Sequence, residues 1–402
     1  MGNLSRDSFD LRLDNLQRVN LPDNAEGTRT RVAENDLLFS ITAEIGMLGL
    51  IPANFEEAYI NQHVGLIRFL KDAQTKFFPY ILMSEFCRDQ YCTVQCGMKN
   101  SFRLDNIQNI LAPVPPLGEQ IRIAEKLSNI WTHIQQVDTE SEAASDIISK
   151  AKSKILDLAI RGQLVPQDPA DEPASVLLER IKAEKEELIR QGKIKRDKRE
   201  SVIFRGEDNS YYLRTGELVE SLEDWDFEEL PDSWSVCCLG ELCDYGNCTN
   251  IDTADIADSA WILDLEDIEK DSGVVLQKVR QGERNAGSTK HRFHKGQVLY
   301  SKLRPYLNKV VLADEDGYCT SEILPLEFER NILPQYARYF LMSPAFLRYA
   351  NKCSYGVKMP RLGTADGKKA IISVPPVKEQ KRIIMAIELA FAQLASIAEN
   401  LA

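Results

Sequence analysis

The cysteines and histidines of this chain are the side chains best suited to bind a metal or to act as nucleophiles. Its nine cysteines include a tight group of four and a looser group of three, at Cys237, Cys238, Cys243, Cys248, Cys87, Cys92 and Cys96. Neither group has the paired Cys-x-x-Cys spacing of a zinc site, and an odd total disfavours a disulfide framework. The four histidines are scattered, at His63, His133, His291 and His294. We therefore interpret the cysteines as buried, reduced thiols and predict no metal site.

No sequence motif carries a recognised catalytic chemistry. The chain lacks the Walker-type phosphate loop and the Gly-x-Gly-x-x-Gly nucleotide loop. It also lacks the Asn-Pro-Pro-aromatic run expected of an amino-methyltransferase active site. The sequence therefore predicts a protein that has no catalytic activity by itself.

Charge is distributed unevenly along the chain, although the net charge is −12. Residues 215–269 contain 17 acidic residues and no Lys or Arg, whereas residues 278–309 contain nine basic residues and one acid, Glu283. Charge runs of this kind are usually solvated faces. A local basic surface that binds phosphates is the functional alternative, and the sequence leaves both interpretations open.

Composition indicates a soluble globular protein with two or three domains. The chain has 402 residues, of which 44% are hydrophobic and 27% are charged. No apolar run reaches the length of a membrane span, and the first residues lack the layout of a signal peptide. We therefore predict a cytoplasmic protein without a membrane segment.

An internal repeat sets the framework that must position any functional residues. Pro115–Ile123 and Pro375–Ile383 share the pattern Pro-Pro-x-x-Glu-Gln-x-Arg-Ile, 260 residues apart. Three upstream segments recur at nearly the same distance, namely Leu38–Ser40 with Leu299–Ser301, Tyr80–Ser84 with Tyr339–Ser343, and Gly97–Lys99 with Gly356–Lys358. A repeat of this length corresponds to a whole domain, so the chain contains two similar domains.

Hydrophobic periodicity predicts that both repeats are mixed α/β domains. Each repeat shows strand patterns followed by a helix pattern: strands over 36–41 and 64–69 and a helix over 77–91, then strands over 274–279 and 297–300 and a helix over 334–349. Between the repeats we predict a turn at 161–169, a helix over 174–191 rich in Glu and Lys, and a polar linker over 192–214.

A long helix follows each Pro-Pro motif. In both repeats apolar residues recur at alternating steps of four and three, the pattern of a heptad seam, and in the first repeat the seam ends near Gly162. A simple helical hairpin would satisfy this pattern, and so would packing of the two repeat helices on each other. We predict antiparallel packing of Ile123, Leu127, Ile130 and Ile134 against Ile383, Ile387, Leu394 and Ile397. The far end of the first helix, 148–158, is then either exposed or covered by Leu177, Leu178, Ile181 and Leu188.

Taken together, three motifs resemble the DNA-specificity subunit of type I restriction-modification systems. The first is the pair of Pro-Pro motifs that open long helices, at Pro115–Ile123 and Pro375–Ile383. The second is the segment Arg161–Pro169 with Asp171–Ser175 and the following Glu/Lys helix. The third is Leu230–Trp234, which is similar to the start of a target-recognition domain in this family.

This resemblance implies an organisation and a set of partners. Two target-recognition domains each read half of a split site on double-stranded DNA, and antiparallel coiled-coil spacer helices set the gap between the halves. The corresponding boundaries are 1–114 and 230–374 for the domains, 115–162 and 375–402 for the spacer helices, and 163–229 for the connection. The subunit docks methylation (M) and restriction (R) subunits, and S-adenosylmethionine, ATP and magnesium are implied only for those partners.

Relative to the family pattern, both ends of the sequence are short. The first repeat begins near the equivalent of residue 262, and the second spacer helix stops near the equivalent of Glu142. We therefore expect a truncated form, for which a silent or recombining gene copy is one alternative. A helical scaffold protein that binds no DNA is the alternative from another functional class.

Residue type selects the candidate DNA contacts, because Arg, Lys, Asn and Gln read base edges and Lys and Arg hold phosphates. In the second repeat the candidates are Lys290, Arg292, Lys302, Arg304, Lys358 and Arg361. In the first repeat they are Ser40, Thr42, Asn61, Gln62, Lys99 and Asn100. Each is also explained as an ordinary solvated residue. Glu119, Gln120, Glu379 and Gln380 are interpreted as first-turn helix residues instead.

Overall fold

The structure is a computed structural model, and it describes most of the chain in nine segments. These are residues 2–14, 18, 30–70, 76–92, 104–193, 201–206, 210–222, 230–284 and 287–401. The chain divides into two compact units, Met1–Glu140 and Ser141–Ala402.

Eleven α-helices and eighteen strands occupy the described residues. The helices are α1 Phe77–Met83, α2 Glu85–Cys92, α3 Leu104–Gln108, α4 Leu117–Ile160, α5 Ala174–Arg190, α6 Leu239–Leu242, α7 Gln281–Arg284, α8 Pro334–Leu341, α9 Pro344–Cys353, α10 Thr364–Lys369 and α11 Val377–Leu401. The strands are β1 Leu37–Ser40, β2 Leu48–Leu50, β3 Val64–Ile67, β4 Ser201–Arg205, β5 Tyr211–Thr215, β6 Leu218–Ser221, β7 Ser235–Cys238, β8 Asn250–Ile251, β9 Trp261–Leu263, β10 Val279–Arg280, β11 Lys290–Phe293, β12 Val298–Ser301, β13 Val310–Leu312, β14 Gly317–Thr320, β15 Ile323–Leu326, β16 Ser354–Tyr355, β17 Arg361–Leu362 and β18 Ile371–Val374.

The first unit is built on a three-stranded antiparallel sheet in the order β2-β1-β3. The central strand β1 is buried on both faces, because its side chains alternate between two clusters. Leu37 and Phe39 pack with Leu82 and Tyr91 of the helices, and Leu38 packs on the other face. This fully buried strand explains the continuous apolar run that made the segment recognisable in the sequence.

The second unit contains the same sheet in the order β13-β12-β15, so the sequence repeat is also a structural repeat. Leu37 lies opposite Leu50 and Ile67, and Val298 lies opposite Leu312 and Leu326 in the same way. The tight turn before the central strand also recurs, with Asn35 and Gly296 both at positive φ. The predicted mixed α/β repeat is therefore confirmed.

A five-stranded sheet in the order β10-β9-β14-β11-β8 completes the second unit. Its strands are antiparallel except for the parallel pair β9 and β14. Trp261 and Phe293 are fully buried and meet edge to face with ring centroids 5.1 Å apart. This cluster positions β11, which carries two of the candidate DNA contacts.

In each repeat the helix predicted after the sheet is a pair of short helices. α1 ends at Met83, and the extended backbone of Ser84 separates it from α2. In the second unit Ser343 is the N-cap of α9, accepting a hydrogen bond from the Phe346 amide, and Pro344 occupies the first position of that helix. A proline at that position starts a new helix and disfavours continuation of the preceding one, so the break recurs at the equivalent serine.

The predicted polar linker over 192–214 is wrong within its described part. Strands β4 and β5 begin there, and with β6 just beyond they form an antiparallel three-stranded sheet. Phe204 and Tyr212 stack across the first pair with ring centroids 5.7 Å apart. This segment has few apolar residues, at alternate positions, among many charged ones, so its composition resembles that of a linker. Pairing between the strands is what makes it a sheet.

Helix α4 begins in the first unit and ends in the second, and α11 runs back along its final turns. Ser373, just before α11, donates a hydrogen bond to the Ile160 carbonyl at 2.7 Å, and Lys152 Nζ lies 5.7 Å from the centre of the Phe391 ring. The two segments are therefore antiparallel within the second unit, as predicted for the two long helices.

The predicted partners of α11 differ from those in the structure. Ile383 and Ile387 are fully buried in one cluster with Leu156 and Ile160, near the end of α4. The same cluster contains Leu177 and Ile181 of α5, so helices α5 and α11 together cover the far end of α4. A heptad seam has the same phase at every turn, so its sequence cannot specify which turns meet. The exposed side chains Leu127, Ile130 and Ile134 lie on the earlier turns of α4.

By length and composition alone, α11 is long and apolar enough to cross a membrane. Core helices of soluble proteins also meet this criterion. Ile383 and Ile387 in its first turns are fully buried against the second unit, which accounts for part of its apolar character.

The Pro-Pro-x-x-Glu-Gln motif has the same role at the start of both long helices. Gln120 donates from its side chain to the Pro115 carbonyl at 2.9 Å, and Gln380 donates to the Pro375 carbonyl at 3.1 Å. Gln380 also accepts a hydrogen bond from the Leu333 amide at 2.8 Å. Both glutamines are buried, so the motif's glutamine is a structural cap that ties the helix to its domain.

Candidate nucleic-acid interface

Two loops of the second unit lie side by side and carry four of the candidate residues. We call residues 302–306 and 355–361 the loop pair. Leu303 and Arg361 form a β-bridge between the loops, and the Arg304 amide donates to the Pro360 carbonyl at 2.7 Å. The Leu362 amide donates to the Lys302 carbonyl at 3.0 Å. Backbone pairing therefore brings together candidates that lie more than 50 residues apart in sequence.

The loop pair exposes apolar and aromatic side chains beside its cations. Val357 is fully exposed, and Tyr306, Tyr355 and Met359 are about half exposed or more. Lys358 lies exposed between Val357 and Met359. Large apolar side chains held in solvent next to basic residues are typical of a binding surface.

Arg361 is paired within the protein. Its guanidinium donates to both carboxylate oxygens of Glu322, with an Nη2 to Oε1 distance of 2.8 Å. This hydrogen bond from Arg361 holds the pKa of Glu322 below its ordinary value. Arg361 therefore fixes the second loop against the turn before β15, and its charge is largely balanced by Glu322.

Lys290 is placed differently from its prediction. It is buried on β11, and its Nζ lies 2.9 Å from Asp264 Oδ1. A buried lysine in an ion pair is not accessible to a nucleic acid, so the structure assigns it to the core of the second unit. The position of Lys290 in a run of basic residues therefore did not predict whether its side chain is exposed.

Arg292 is held at the segment that precedes β8. The Arg292 amide donates to the Thr249 carbonyl at 3.0 Å, and the Arg292 side chain is exposed. Burial raises the pKa of the neighbouring Cys248 thiol, and the charge of Lys302 opposes that rise. Arg304 has a left-handed backbone, with φ of 50°. Arg292, Lys302 and Lys358 are thus the cations of this surface that best fit phosphate contacts.

In the first unit three candidates gather around His63. Thr42 Oγ1 lies 3.0 Å from His63 Nδ1, and Gln62 Nε2 lies 3.4 Å from His63 Nε2. The side-chain oxygen of Asn61 accepts a hydrogen bond from the His63 amide at 3.0 Å. Thr42 is half-buried, whereas Asn61 and Gln62 are exposed, so the three candidates form a partly exposed polar cluster in the first unit.

Ser40 is fully buried and serves the turn that follows β1. Its hydroxyl donates to the Glu44 carbonyl and accepts from the Met47 amide at 2.8 Å. The structure therefore corrects its prediction as a DNA contact. Lys99 and Asn100 lie outside the described residues.

Arg31 is a candidate that the sequence analysis missed. It lies opposite Tyr59, as Arg292 lies opposite Tyr318, so the two arginines occupy the same position in the two repeats. Arg31 is exposed, and its Nε lies 3.5 Å from Glu57 Oε1. The signal was present in the sequence, because each arginine precedes the Leu of its repeated Leu-aromatic-Ser segment by seven residues.

Four of the seven clustered cysteines are buried free thiols, as predicted, whereas Cys248 is half-buried and the side chains of Cys92 and Cys96 lie outside the described residues. Cys237, Cys238 and Cys243 are all buried and free, and Cys87 is buried in the first unit. Burial raises the pKa of Cys238 to about 12 and raises those of Cys237 and Cys243. Thiols with raised pKa are poor nucleophiles, so these residues act as small core side chains.

Comparison with known proteins places both repeats in one family. The profile of the type I restriction modification DNA specificity domain matches residues 25–142 and again 231–399. Among curated relatives, the EcoDI specificity subunit of Escherichia coli is 25% identical over 301 residues, which is 73% of this chain and 58% of that protein. The EcoAI specificity subunit of Escherichia coli is 30% identical over 265 residues, or 63% of this chain and 40% of that protein.

A solved structure shows that the fold is shared. A chain from a type I R-M system, determined in a study of its complex assembly and conformational transition, aligns with 92% of this chain and 77% of its own length. The TM-score is 0.56 at 16% identity. With two matched regions that cover both structural repeats, this chain belongs to the family of type I restriction-modification DNA specificity subunits.

Proposed function

We propose that this chain is the DNA-recognition subunit of a type I restriction-modification complex, and that it reads a bipartite site on double-stranded DNA. The observation that carries this proposal is the repeated placement of an exposed arginine, Arg31 and Arg292, at the same sheet position in two domains of one family. Two similar domains with equivalent cations suit a target with two half-sites.

The chain acts with partners in this proposal. It docks the methylation and restriction subunits in the cytoplasm and has no catalytic activity alone. The chemistry of S-adenosylmethionine, ATP and magnesium belongs to those subunits. The chain spans 58% of the EcoDI subunit and 40% of the EcoAI subunit, so the activity of the complete relatives is carried over here as a proposal.

The experiment is a binding selection from a pool of random-sequence DNA duplexes, followed by affinity measurement across salt concentrations. We expect an enriched sequence and an affinity that falls steeply with salt, because neutralising phosphates releases counterions. Replacing both Arg292 and Lys302 by Ala should weaken binding. It should also flatten the salt dependence by about 0.9 for each phosphate that the variant no longer neutralises.

Lys150→Ala provides the control, because Lys150 is an exposed lysine on α4, away from the loop pair in sequence. It should leave both the affinity and the salt dependence unchanged. No enriched sequence together with salt-independent binding would favour the helical scaffold instead. Methyl transfer by the purified chain would contradict a purely recognition role.

A further inference from the structure

The turn between β16 and β17 presents an apolar side chain to solvent. Val357 lies in this turn and is fully exposed, and Met359 is half exposed two residues later. Single exposed valines are common on protein surfaces, so exposure alone does not mark a site. What distinguishes Val357 is the rigid support of the turn that carries it and the cations beside it.

Backbone pairing supports this turn on both sides of β17. Tyr355 lies opposite Arg361 in the β16-β17 pair. On the other side of β17, Leu303 forms a bridge with Arg361, and the Arg304 amide donates to the Pro360 carbonyl at 2.7 Å. Three backbone segments therefore lie side by side, and the turn is held in one conformation before any ligand binds. Such preorganisation reduces the entropy lost on binding.

Gly356 makes the turn tight. Its φ of 98° lies in the left-handed region that favours glycine, and a Cβ added there would lie 3.2 Å from the Met359 carbonyl oxygen. The chain therefore reverses closely at Gly356. Val357 and Lys358 occupy the middle of the turn, and both are exposed.

The width of the loop pair selects one groove of DNA. Neighbouring paired segments lie about 4.8 Å apart, so three of them span about 10 Å between their outer backbones. The minor groove of B-DNA is about 6 Å wide and the major groove about 12 Å. The loop pair therefore fits the major groove, with the turn at 356–360 foremost. Lys302 and Lys358, one on each loop, are then available to the phosphates that border the groove.

Base edges in the major groove offer a valine one favourable partner. The edges consist of hydrogen-bond donors and acceptors, apart from the C5-methyl group of thymine. A valine placed against the donors and acceptors removes their water without replacing the hydrogen bonds, which is unfavourable. Against the C5-methyl group, the same side chain buries apolar surface on both partners. An exposed valine held in this groove therefore favours a thymine.

We propose that Val357 is a specificity-determining residue that reads a thymine in the half-site bound by the second unit. Its side chain packs on the C5-methyl group in the major groove, while Lys302 and Lys358 hold the neighbouring phosphates. This inference rests on the proposed function, since it assumes that the second unit binds a specific duplex. It adds the base that one residue selects and the chemical group through which it does so.

The test uses the full chain and the duplex enriched by the binding selection. Each thymine of the duplex is replaced in turn by deoxyuridine, which keeps the base pair and lacks the C5-methyl group. At one position in one half-site we expect the affinity to fall about threefold to fivefold, the effect of exposing one buried methyl group. In Val357→Ala the same replacement should change the affinity by less than about 1.5-fold, because the partner of the methyl group is gone.

Val219→Ala is the matched control, because Val219 is also an exposed valine and lies on β6. This variant should keep the full sensitivity to deoxyuridine. Both valines are exposed, so neither truncation should disturb folding.

Three outcomes would overturn the reading of thymine while leaving the proposed function in place. They are an enriched duplex that tolerates deoxyuridine at every position, a Val357→Ala variant that keeps the original sensitivity, and a Val357→Ala variant that loses the same affinity for the thymine and deoxyuridine duplexes. The last would place Val357 against the sugar or in the minor groove. A selection that enriches no sequence would overturn both proposals together.

Discussion

At the residue scale, a basic residue type does not identify a DNA contact unless the burial of the side chain is also known. Lys290 and Arg292 are two residues apart on β11, yet the first is buried in an ion pair with Asp264 and the second is exposed. The position of each residue along the strand therefore decides whether its side chain is exposed, and its residue type does not. A run of basic residues in the sequence therefore contains both buried members of ion pairs and exposed cations.

Asp267 gives a pH-dependent prediction. Burial alone would raise its pKa, but hydrogen bonds from Arg284, the Asp264 amide and Gln277 outweigh burial and hold the pKa below its ordinary value. A depressed folded-state pKa stabilises the protein above the unfolded-state value of about 3.9, and this contribution is lost as pH falls through the folded-state pKa.

Asp267→Asn should therefore lower the free energy of unfolding at neutral pH and reduce its loss on acidification. Urea unfolding at neutral and acidic pH measures both effects. The control is Asp255→Asn, at an exposed position. If the pH dependence of stability is unchanged in Asp267→Asn, the pairing of Asp267 with Arg284 does not contribute to the loss of stability in acid.

At the element scale, the packing of α11 on the end of α4 is the main feature that the heptad pattern left open. Ser373 and Gln380 anchor the start of α11, through the Ile160 carbonyl and the Leu333 amide. Arg382 adds an ion pair with Asp171 at 2.7 Å, which ties α11 to the segment after α4. These contacts fix one register of α11 on α4, whereas the apolar heptad pattern alone is compatible with several registers.

Ile387→Ala tests this register. Ile387 is fully buried with Leu156 and Ile160, so its truncation should lower the free energy of unfolding by about 2–5 kcal/mol. Leu389→Ala, at a position 64% exposed, should cost much less. Chemical denaturation followed by circular dichroism compares the two. Equal effects of the two variants would contradict the observed packing.

At the scale of the whole molecule, the chain contains two domains that repeat the same three-stranded sheet and match the same family profile. Under the proposed function each domain reads one half-site, and the connecting helices fix the base-pair gap between them. Once a preferred site is selected, adding or removing one base pair in its central gap should weaken binding substantially. Changing the identity of the gap bases at constant length should have little effect.

Competition binding with the selected duplex measures both changes. Insensitivity to gap length would indicate that one repeat alone accounts for the affinity. The domain-specific variants Arg31→Ala and Arg292→Ala would then identify that repeat, because each arginine occupies the equivalent position in its own domain.

The sequence by itself determined the repeat, its family and the main elements. The Pro-Pro motifs, the buried strand before Ser40 and Ser301 and the long heptad helix are all local signals, because turn chemistry and hydrophobic periodicity act over a few residues. The structure places helix α4 at Leu117–Ile160, within the predicted spacer over 115–162. The buried thiols also followed from spacing alone.

Only the tertiary structure decided which turns of α4 contact α11, which basic side chains are exposed and where β4, β5 and β6 pair. Each of these depends on contacts between residues far apart in sequence, such as Ile160 with Ser373 and Lys290 with Asp264. Leu111 and Val114 are exposed in the first unit, whereas Ile371 and Val374 at the equivalent positions are buried in the second, where β18 pairs with β7.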